Sequence, residues 1–392
     1  MSARDHDAIA VAERVLAILD QGGFSATYKF ALFTAILDLC IEKTSVHGVP
    51  PESLTTRQLA EKVVELYWNQ VVQFGNAGTL RQGGGHGEQA EIVWRVARAR
   101  ERWADGVSDT PHRARRDHPA EFRKLVDFVE WKLIEMPIPR LQVLGRQEDR
   151  FLYEYNWTRD IRRSAVAAYQ RGDSAVFDNR LLLQPRIGES LVRLNGILRP
   201  LFHRQWAVMV ARMNRLPEAE LERFLFGWER IPLDPVRRPL RELQENRCFY
   251  CDGRMAGAAD VDHFIPWSRY PDDTLDNLVA AHPRCNNSKR DFLAAVDHLE
   301  HWTARRRILA SDLQTIAESC GWPRDPARSA SVAAAIYLSL PATAQLWRCA
   351  EEFVLADVDG IQRALGDGHT QPGALRTTTH GDPNNRPTRP ES

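Results

Sequence analysis

Apolar residues recur at helical spacing through most of this chain, and taken in order they predict a largely α protein. From Asp7 to about Asp20, the residues Ile9, Val11, Val15, Leu16 and Leu19 fall on one side of a helix that Gly22 and Gly23 end. Thr27 to Lys43 reads as a second, more buried helix. Beyond Pro50 and Pro51, Thr55 and Gln58 have the spacing of a capping box, and a helix to about Gln73 follows. Gln89 to Trp103 and Pro119 to Glu135 are further helices, the latter stopped by Pro137 and Pro139. Leu141 to Tyr155 is irregular and aromatic, and Ala175 to Leu183 fits a short strand or hairpin. Helical spacing returns from Ile187 to Asn214, with an interruption expected at Pro200. Asp291 to about Ser319, Ser329 to Leu340 and Leu346 to Leu355 complete the helical pattern.

Punctuation divides this pattern. Pro232, Pro235 and Pro239 separate a helical region, 1–235, from a compact segment at 236–300 that is rich in Cys, His, Asp and Asn. Helices over 301–365 are expected to pack on that segment. Residues 366–392 hold almost no apolar side chains, so a disordered tail is expected there. The helices over 27–73 fit either a helix-turn-helix or a pair of core helices. The Gly83 to Gly87 run lacks the Lys and Ser/Thr of a phosphate-binding loop and reads as a flexible connection.

Composition adds bounds. A chain of 392 residues, 43% apolar and 27% charged, has room for two or three domains. Its zero net charge excludes a generic polycation. Of the 52 basic residues 46 are arginine, a bias that a GC-rich coding sequence also produces. No basic-then-apolar leader opens the sequence, and the apolar stretches Phe30–Ile41 and Val332–Leu340 are too short to span a bilayer. Cys40, Cys320 and Cys349 stand singly on apolar patterns and are expected in the core. A reducing, cytoplasmic location with no membrane partner fits this usage.

The chemistry is concentrated within about forty residues. Cys248 and Cys251 form one pair with two residues between them, and His282 and Cys285 form another. Two such pairs brought together make a closed tetrahedral site for structural Zn²⁺, which folds a module rather than performing chemistry. A redox dithiol is the alternative. Interleaved with these ligands are Asp262, His263, Asn277 and Asn286. Asp262 and the amide oxygen of Asn286 are hard ligands suited to Mg²⁺ or Mn²⁺, and a neutral imidazole at His263 can take a proton from water. On a strand, Asp262 and His263 would point to opposite faces.

Asp-His-x-Ile-Pro-x-Ser, then Asp-Asn-Leu, then Cys-Asn-x-x-Lys resembles the HNH (ββα-metal) endonuclease motif in its zinc-stapled form. The resemblance covers roughly 243–295 and implies a role for each residue. His263 would be the general base, Asp262 a metal ligand and Asn277 the brace of the loop between the strands. Asn286 would hold the second metal position, and Lys289 would face phosphate from the motif helix, with Arg290 beside it. His282 stands where the family more often has cysteine, and Asn286 where it often has histidine. The fold class expected is therefore mainly α, with a small ββα-metal (HNH) module, a helical N-terminal domain and C-terminal helices.

Charge locates the expected nucleic-acid surface. Residues 241–300 hold seven basic and eleven acidic side chains, a net of −4. Residues 159–215 hold eleven arginines against four acids, a net of +7. Phosphate neutralisation dominates nucleic-acid affinity, so Arg193, Arg204 and Arg212 are candidate contacts. The interleaved Tyr169, Phe177, Phe202 and Trp206 would stack on bases or fill the core. The expected function is a metal-dependent endonuclease acting on DNA, in restriction or anti-phage defence. RNA cleavage and a non-catalytic zinc-stabilised DNA-binding module are the alternatives. The N-terminal region would bind substrate, sense a signal, or hold a protein partner or a second copy.

Overall fold

Thr55 and Gln58 form the reciprocal cap that their spacing predicts: Gln58 N donates to Thr55 Oγ1 at 3.2 Å, and Thr55 N donates to Gln58 Oε1 at 2.9 Å. The computed structural model describes residues 3–75, 78–83, 89–103, 110–158, 160–226 and 232–366. Its first part is built from α1 (Ala3–Gln21), α2 (Tyr28–Glu42), α3 (Thr56–Gln70), α4 (Glu91–Trp103), α5 (Pro111–Asp117), α6 (Pro119–Glu135), α7 (Ile138–Leu141), α8 (Arg163–Gln170), α9 (Ile187–Asn214) and α10 (Glu218–Phe226). Short strands fill the irregular stretches: β1 (Ser53–Thr55), β2 (Val143–Leu144), β3 (Gln147–Glu148), β4 (Tyr153–Tyr155) and β5 (Arg180–Leu183). The aromatic segment before Tyr155 thus ends as an edge strand, because β5 pairs antiparallel with both β1 and β4.

One core joins these elements, from Val15 of α1 to Leu225 of α10. α3 packs against both α2 and α6 and buries Leu59, Val63, Tyr67 and Trp68. It is a core helix, with no open face to enter a DNA groove. Phe202 and Trp206 are fully buried and Phe177 nearly so, which settles their part as packing. Two expectations need correction here. α9 runs unbroken through Pro200; packing of Leu198, Phe202 and Trp206 carries the helix past the missing amide. Of the three single cysteines only Cys40 is buried; Cys320 is half-buried and Cys349 exposed.

The second part follows as α11 (Asp234–Leu243), β6 (Asp260–His263), β7 (Leu278–Ala281), α12 (Pro283–Lys289), α13 (Val296–Ile308), α14 (Ala310–Cys320), α15 (Pro326–Leu338), β8 (Gln345–Cys349), β9 (Glu352–Leu355) and α16 (Val358–Gly366). Pro235 and Pro239 lie inside α11, where the sequence pattern marks only a boundary. β6 and β7 pair antiparallel, with Asp262 opposite Val279 and His263 opposite Leu278, and α12 closes the ββα unit. The protein is therefore mainly helical with a small ββα module, as expected.

Leu346–Leu355 departs from its expected helix and forms the β8–β9 hairpin. Trp347 N donates to Leu293 O at 2.8 Å, and Ala295 N donates to Trp347 O at 2.7 Å. A tertiary partner thus satisfies the backbone of this segment, which overrides its apolar spacing. Apart from Gly366, the predicted tail lies outside the described residues, as does the glycine run beyond Gly83.

Phe249, Phe264 and Leu278 of the module share one core with Trp302, Tyr337, Trp347 and Ile361. Ile41 of α2 also belongs to this second core, and α2 packs on α15. The two parts therefore meet along α2.

Candidate active site and metal centre

The two Cys/His pairs converge. Cys248 and Cys251 sit on a tight turn in which Asp252 N donates to Cys248 O and Cys248 N donates to Gly253 O, both at 2.9 Å. His282 caps α12 and Cys285 lies in its first turn. The four ligand atoms all lie within 4.8 Å of one another. A Zn–S bond of ~2.3 Å puts tetrahedral ligands roughly 3.8 Å apart, so the donors fit a shared ion. His282 Nδ1 is 3.3 Å from Cys251 Sγ, and Nε2 is 3.3 Å from Arg254 O. A hydrogen bond from Nε2–H to that carbonyl would free Nδ1 as the ligand. Space at Gly253 is tight: a Cβ there would stand 3.3 Å from the His282 ring and 3.4 Å from Cys251 Sγ.

Protonation points the same way. Burial pushes the Cys251 thiol up, but the Gly253 amide and His282 bring it down to about 7. Burial and the neighbouring Cys248 and Cys251 push Cys285 up to about 12. The pKa values of the Cys251 and Cys285 thiols are thus pushed apart, and a shared cation such as Zn²⁺ would let both ionise.

The second constellation lines a cleft of about 400 Å³ bordered by Asp262, His263, Trp267, Asn286 and Arg290. Asp262 and His263 reach the same cleft although they alternate along β6, because His263 is the last residue of the strand. Asp262 is buried, and its Oδ2 accepts from Tyr250 Oη at 2.5 Å. Burial and the adjacent Asp262 hold the Tyr250 phenol well above its usual range, so it stays a donor. Tyr250 lies between the two knuckle cysteines, which ties the zinc-type turn directly to the cleft.

Lys289 corrects an expectation. It is fully buried, with Nζ 3.0 Å from Asp262 Oδ2 and donating to His263 O at 2.9 Å. It does not face phosphate; it neutralises Asp262 and locks the end of β6. Arg290, exposed at the rim just past the end of α12, is the basic group that borders the cleft. Its backbone sits at φ +49°, a conformation that costs an L-residue about 1–3 kcal/mol and persists where the surroundings fix it.

Asn286 on α12 and Arg290 just after it both line the cleft. Asn286 Nδ2 donates to Asp260 Oδ2 at 3.1 Å, which leaves the amide oxygen for the cleft. Asp262 and Asn286 thus offer the hard oxygen donors that Mg²⁺ or Mn²⁺ takes. Asn277 is fully buried: Oδ1 accepts from Ile265 N at 2.8 Å, and Nδ2 donates to Asp272 O at 2.9 Å. It braces the loop and is removed from the reacting groups. His263 Nε2 lies 2.8 Å from Asp273 Oδ1.

Arg193, Arg204 and Arg212 are all exposed on α9, outside this cleft. At 3.6 residues per turn, Arg193 and Arg204 fall on one stripe, and Arg212 lies roughly 100° round the helix. Three residues of the cleft's surroundings went unnoticed in the sequence. Asp260 carried a signal, since period two puts it on the strand face of Asp262. Tyr250 and Asp273 carried none, because their partners are set by tertiary packing.

A closed tetrad and an acid–imidazole–amide cleft on one ββα unit define an HNH-type endonuclease module. The sequence profile described as HNH endonuclease matches residues 248–295. A second profile, described as a domain of unknown function (DUF8808), matches residues 9–225, more than half of the chain, and the chain belongs to that family. No curated protein and no solved structure matches the chain.

Proposed function

We propose that this protein is a metal-dependent endonuclease that hydrolyses phosphodiester bonds in DNA. The observation that carries the reading is the meeting of His263, Asp262, Asn286 and Arg290 in one cleft. His263 takes a proton from water; the oxygen attacks phosphorus, and the P–O3′ bond breaks to leave a 5′ phosphate and a 3′ hydroxyl. Asp262 and Asn286 are the residues that would hold Mg²⁺ or Mn²⁺. Such an ion, when bound, stabilises charge on the phosphate and on the departing oxygen. Lys289 and Tyr250 keep the Asp262 carboxylate in place, and Arg290 binds a non-bridging phosphate oxygen. Cys248, Cys251, His282 and Cys285 hold structural Zn²⁺. A nuclease joined to a larger helical domain suits a role in restriction or anti-phage defence, in which the helical domain grips substrate or answers a signal.

The test is incubation of plasmid, single-stranded DNA and RNA with Mg²⁺, Mn²⁺ or chelator, beside the His263→Ala variant. DNA cleavage that needs the metal and falls about 10²–10⁴-fold in the variant is expected. Cleavage of RNA alone, or wild-type rates in His263→Ala, refutes the reading.

A further inference from the structure

Among the described residues His263 has a carboxylate partner at hydrogen-bond distance, Asp273, which is not one of the motif residues named above. Asp273 Oδ1 is 2.8 Å from His263 Nε2, with the two side chains 13% and 6% exposed. Water competes poorly for a bond this deep. A carboxylate accepting from Nε2–H leaves Nδ1 as the nitrogen with the free lone pair, and it fixes the rotation of the ring.

Asp273 sits on the loop between Pro266 and Leu275, and the loop is held from two sides. On the C-terminal side, Trp322 Nε1 donates to Asp273 O at 2.7 Å. Ser329 Oγ of α15 donates to Asp272 Oδ2 at 3.0 Å and lies 2.7 Å from Thr274 Oγ1. On the other side stands the helical region. Asn195 Nδ2 of α9 donates to Arg269 O at 3.0 Å. Tyr270, fully buried, donates from Oη to Glu42 Oε1 of α2 in a close contact. Glu42 also meets Lys62 Nζ at 2.8 Å and Arg328 Nε at 2.9 Å. Burial by itself would push the Glu42 carboxyl up; Lys62 and Arg328 together bring it well below the usual carboxylate range. It is therefore a charged acceptor at the buried seam. Arg199 pairs with Asp38 at 2.5 Å and lies 5.1 Å from the Tyr270 ring. Buried ion pairs add little net stability, but they admit few geometries.

We propose that Asp273 is the positioning residue of the general base, and that the helical domain sets its place by gripping the loop through Tyr270 and Glu42. The proposal rests on the nuclease reading for its kinetic consequence, but its structural content does not. The family domain over 9–225 thereby acts on the chemistry through the loop, apart from any contact it makes with substrate. Anything that shifts α2 and α9 relative to α15 moves the loop that aims His263.

Two readouts on the full-length protein test this. The first is the neutral His263 tautomer, read by nitrogen-15 NMR on histidine-labelled protein and assigned with His263→Gln. Wild type should be the Nε2–H form. Asp273→Ala should give mixed tautomers, and Asp273→Asn, whose amide can donate to Nε2 as well as accept from it, should not restore a single Nε2–H form. Tyr270→Phe, which keeps the buried ring, should mix the tautomers partly. The second readout is kinetic: Asp273→Ala should lower kcat about 10–100-fold with KM unchanged, Asp273→Asn should recover little of that, and Tyr270→Phe should lower kcat several-fold. An unchanged tautomer in Asp273→Ala overturns the positioning role, whether or not the protein cuts DNA. A tautomer and kcat unchanged in a folded Tyr270→Phe overturn the grip of the helical domain. A protein that cuts nothing but shows the tautomer changes refutes the nuclease reading and leaves the positioning intact.

Discussion

His203 of α9 shows how one enclosed side chain can set a response to pH. Its ring stacks on Phe226 at 4.0 Å, and its Nε2 is buried with no hydrogen-bond partner among the described residues. Burial, with Arg199 nearby, pushes its pKa down to about 3. The unfolded chain protonates histidine near pH ~6.5, so the unfolded state binds the extra proton throughout the interval between. Stability should fall as pH drops below about 6.5, by about 1 kcal/mol per pH unit from this group, until it levels near the folded value. Glu42 works in a lower window: held below its usual range, it contributes stability that is lost only once the pH falls through the carboxylate range. Thermal melts of wild type and His203→Gln from pH 7 to 5 separate the two, because the variant should lose the upper slope; equal slopes would count against this account.

The zinc-type knuckle is the element whose loss should spread furthest. Its turn carries Tyr250, which donates to Asp262, and Phe249, whose ring stacks on His301 at 4.5 Å and meets Phe264 edge-on. Cys251→Ser should release zinc and loosen the core shared by the module and the C-terminal helices. Residues 9–225, with a core of their own, should stay folded. Asp262→Ala should keep the zinc and lose the Mg²⁺-dependent activity. Zinc content by metal analysis, with limited proteolysis to show which part opens, checks both variants. A folded wild-type protein free of zinc contradicts the assignment. The β8–β9 hairpin makes the same point about elements: its strands exist because Trp347 bonds to the backbone beside α13.

At the scale of the whole molecule, charge and core are divided differently. The segment around the HNH match is acidic, a net of −4 over 241–300, and the +7 segment, 159–215, lies in the helical region. Arg199 pairs with Asp38, whereas Arg193 and Arg204 share an exposed stripe on the side of α9 opposite Asn195, the residue that bonds to Arg269 O. Replacing Arg193 and Arg204 with Gln should weaken DNA binding across sequences. It should also flatten log affinity against log salt by about 0.9 for each phosphate no longer neutralised. Arg212→Gln, on another face, should do less. Fluorescence anisotropy over a salt series decides, and an unchanged slope moves the DNA surface elsewhere. One candidate is the groove of about 220 Å³ where Arg95, Lys124 and Arg163 meet Trp131. The test needs the full chain, because a fragment ending at residue 300 would lose Trp302, Tyr337 and Trp347 from its core.

The sequence by itself determined the elements whose causes are local. Caps, periodic apolar faces and the paired ligands fall within a few residues of one another, so α3, α6, the ββα module and the Cys/His tetrad were legible from spacing. It also determined which residues line the cleft, because His263, Asp262 and Asn286 lie on consecutive pieces of one motif. Only the tertiary structure decided what those residues lean on. Lys289 faces inward because a buried Asp262 needs a counter-charge. Asn277 braces the loop because its amide meets backbone groups that only the folded loop presents. Pro200 is tolerated, and Leu346–Leu355 is extended, because partners far along the chain satisfy what local preference would not. Asp273, Tyr270 and Glu42 come together across more than two hundred residues, a distance over which no sequence period can act.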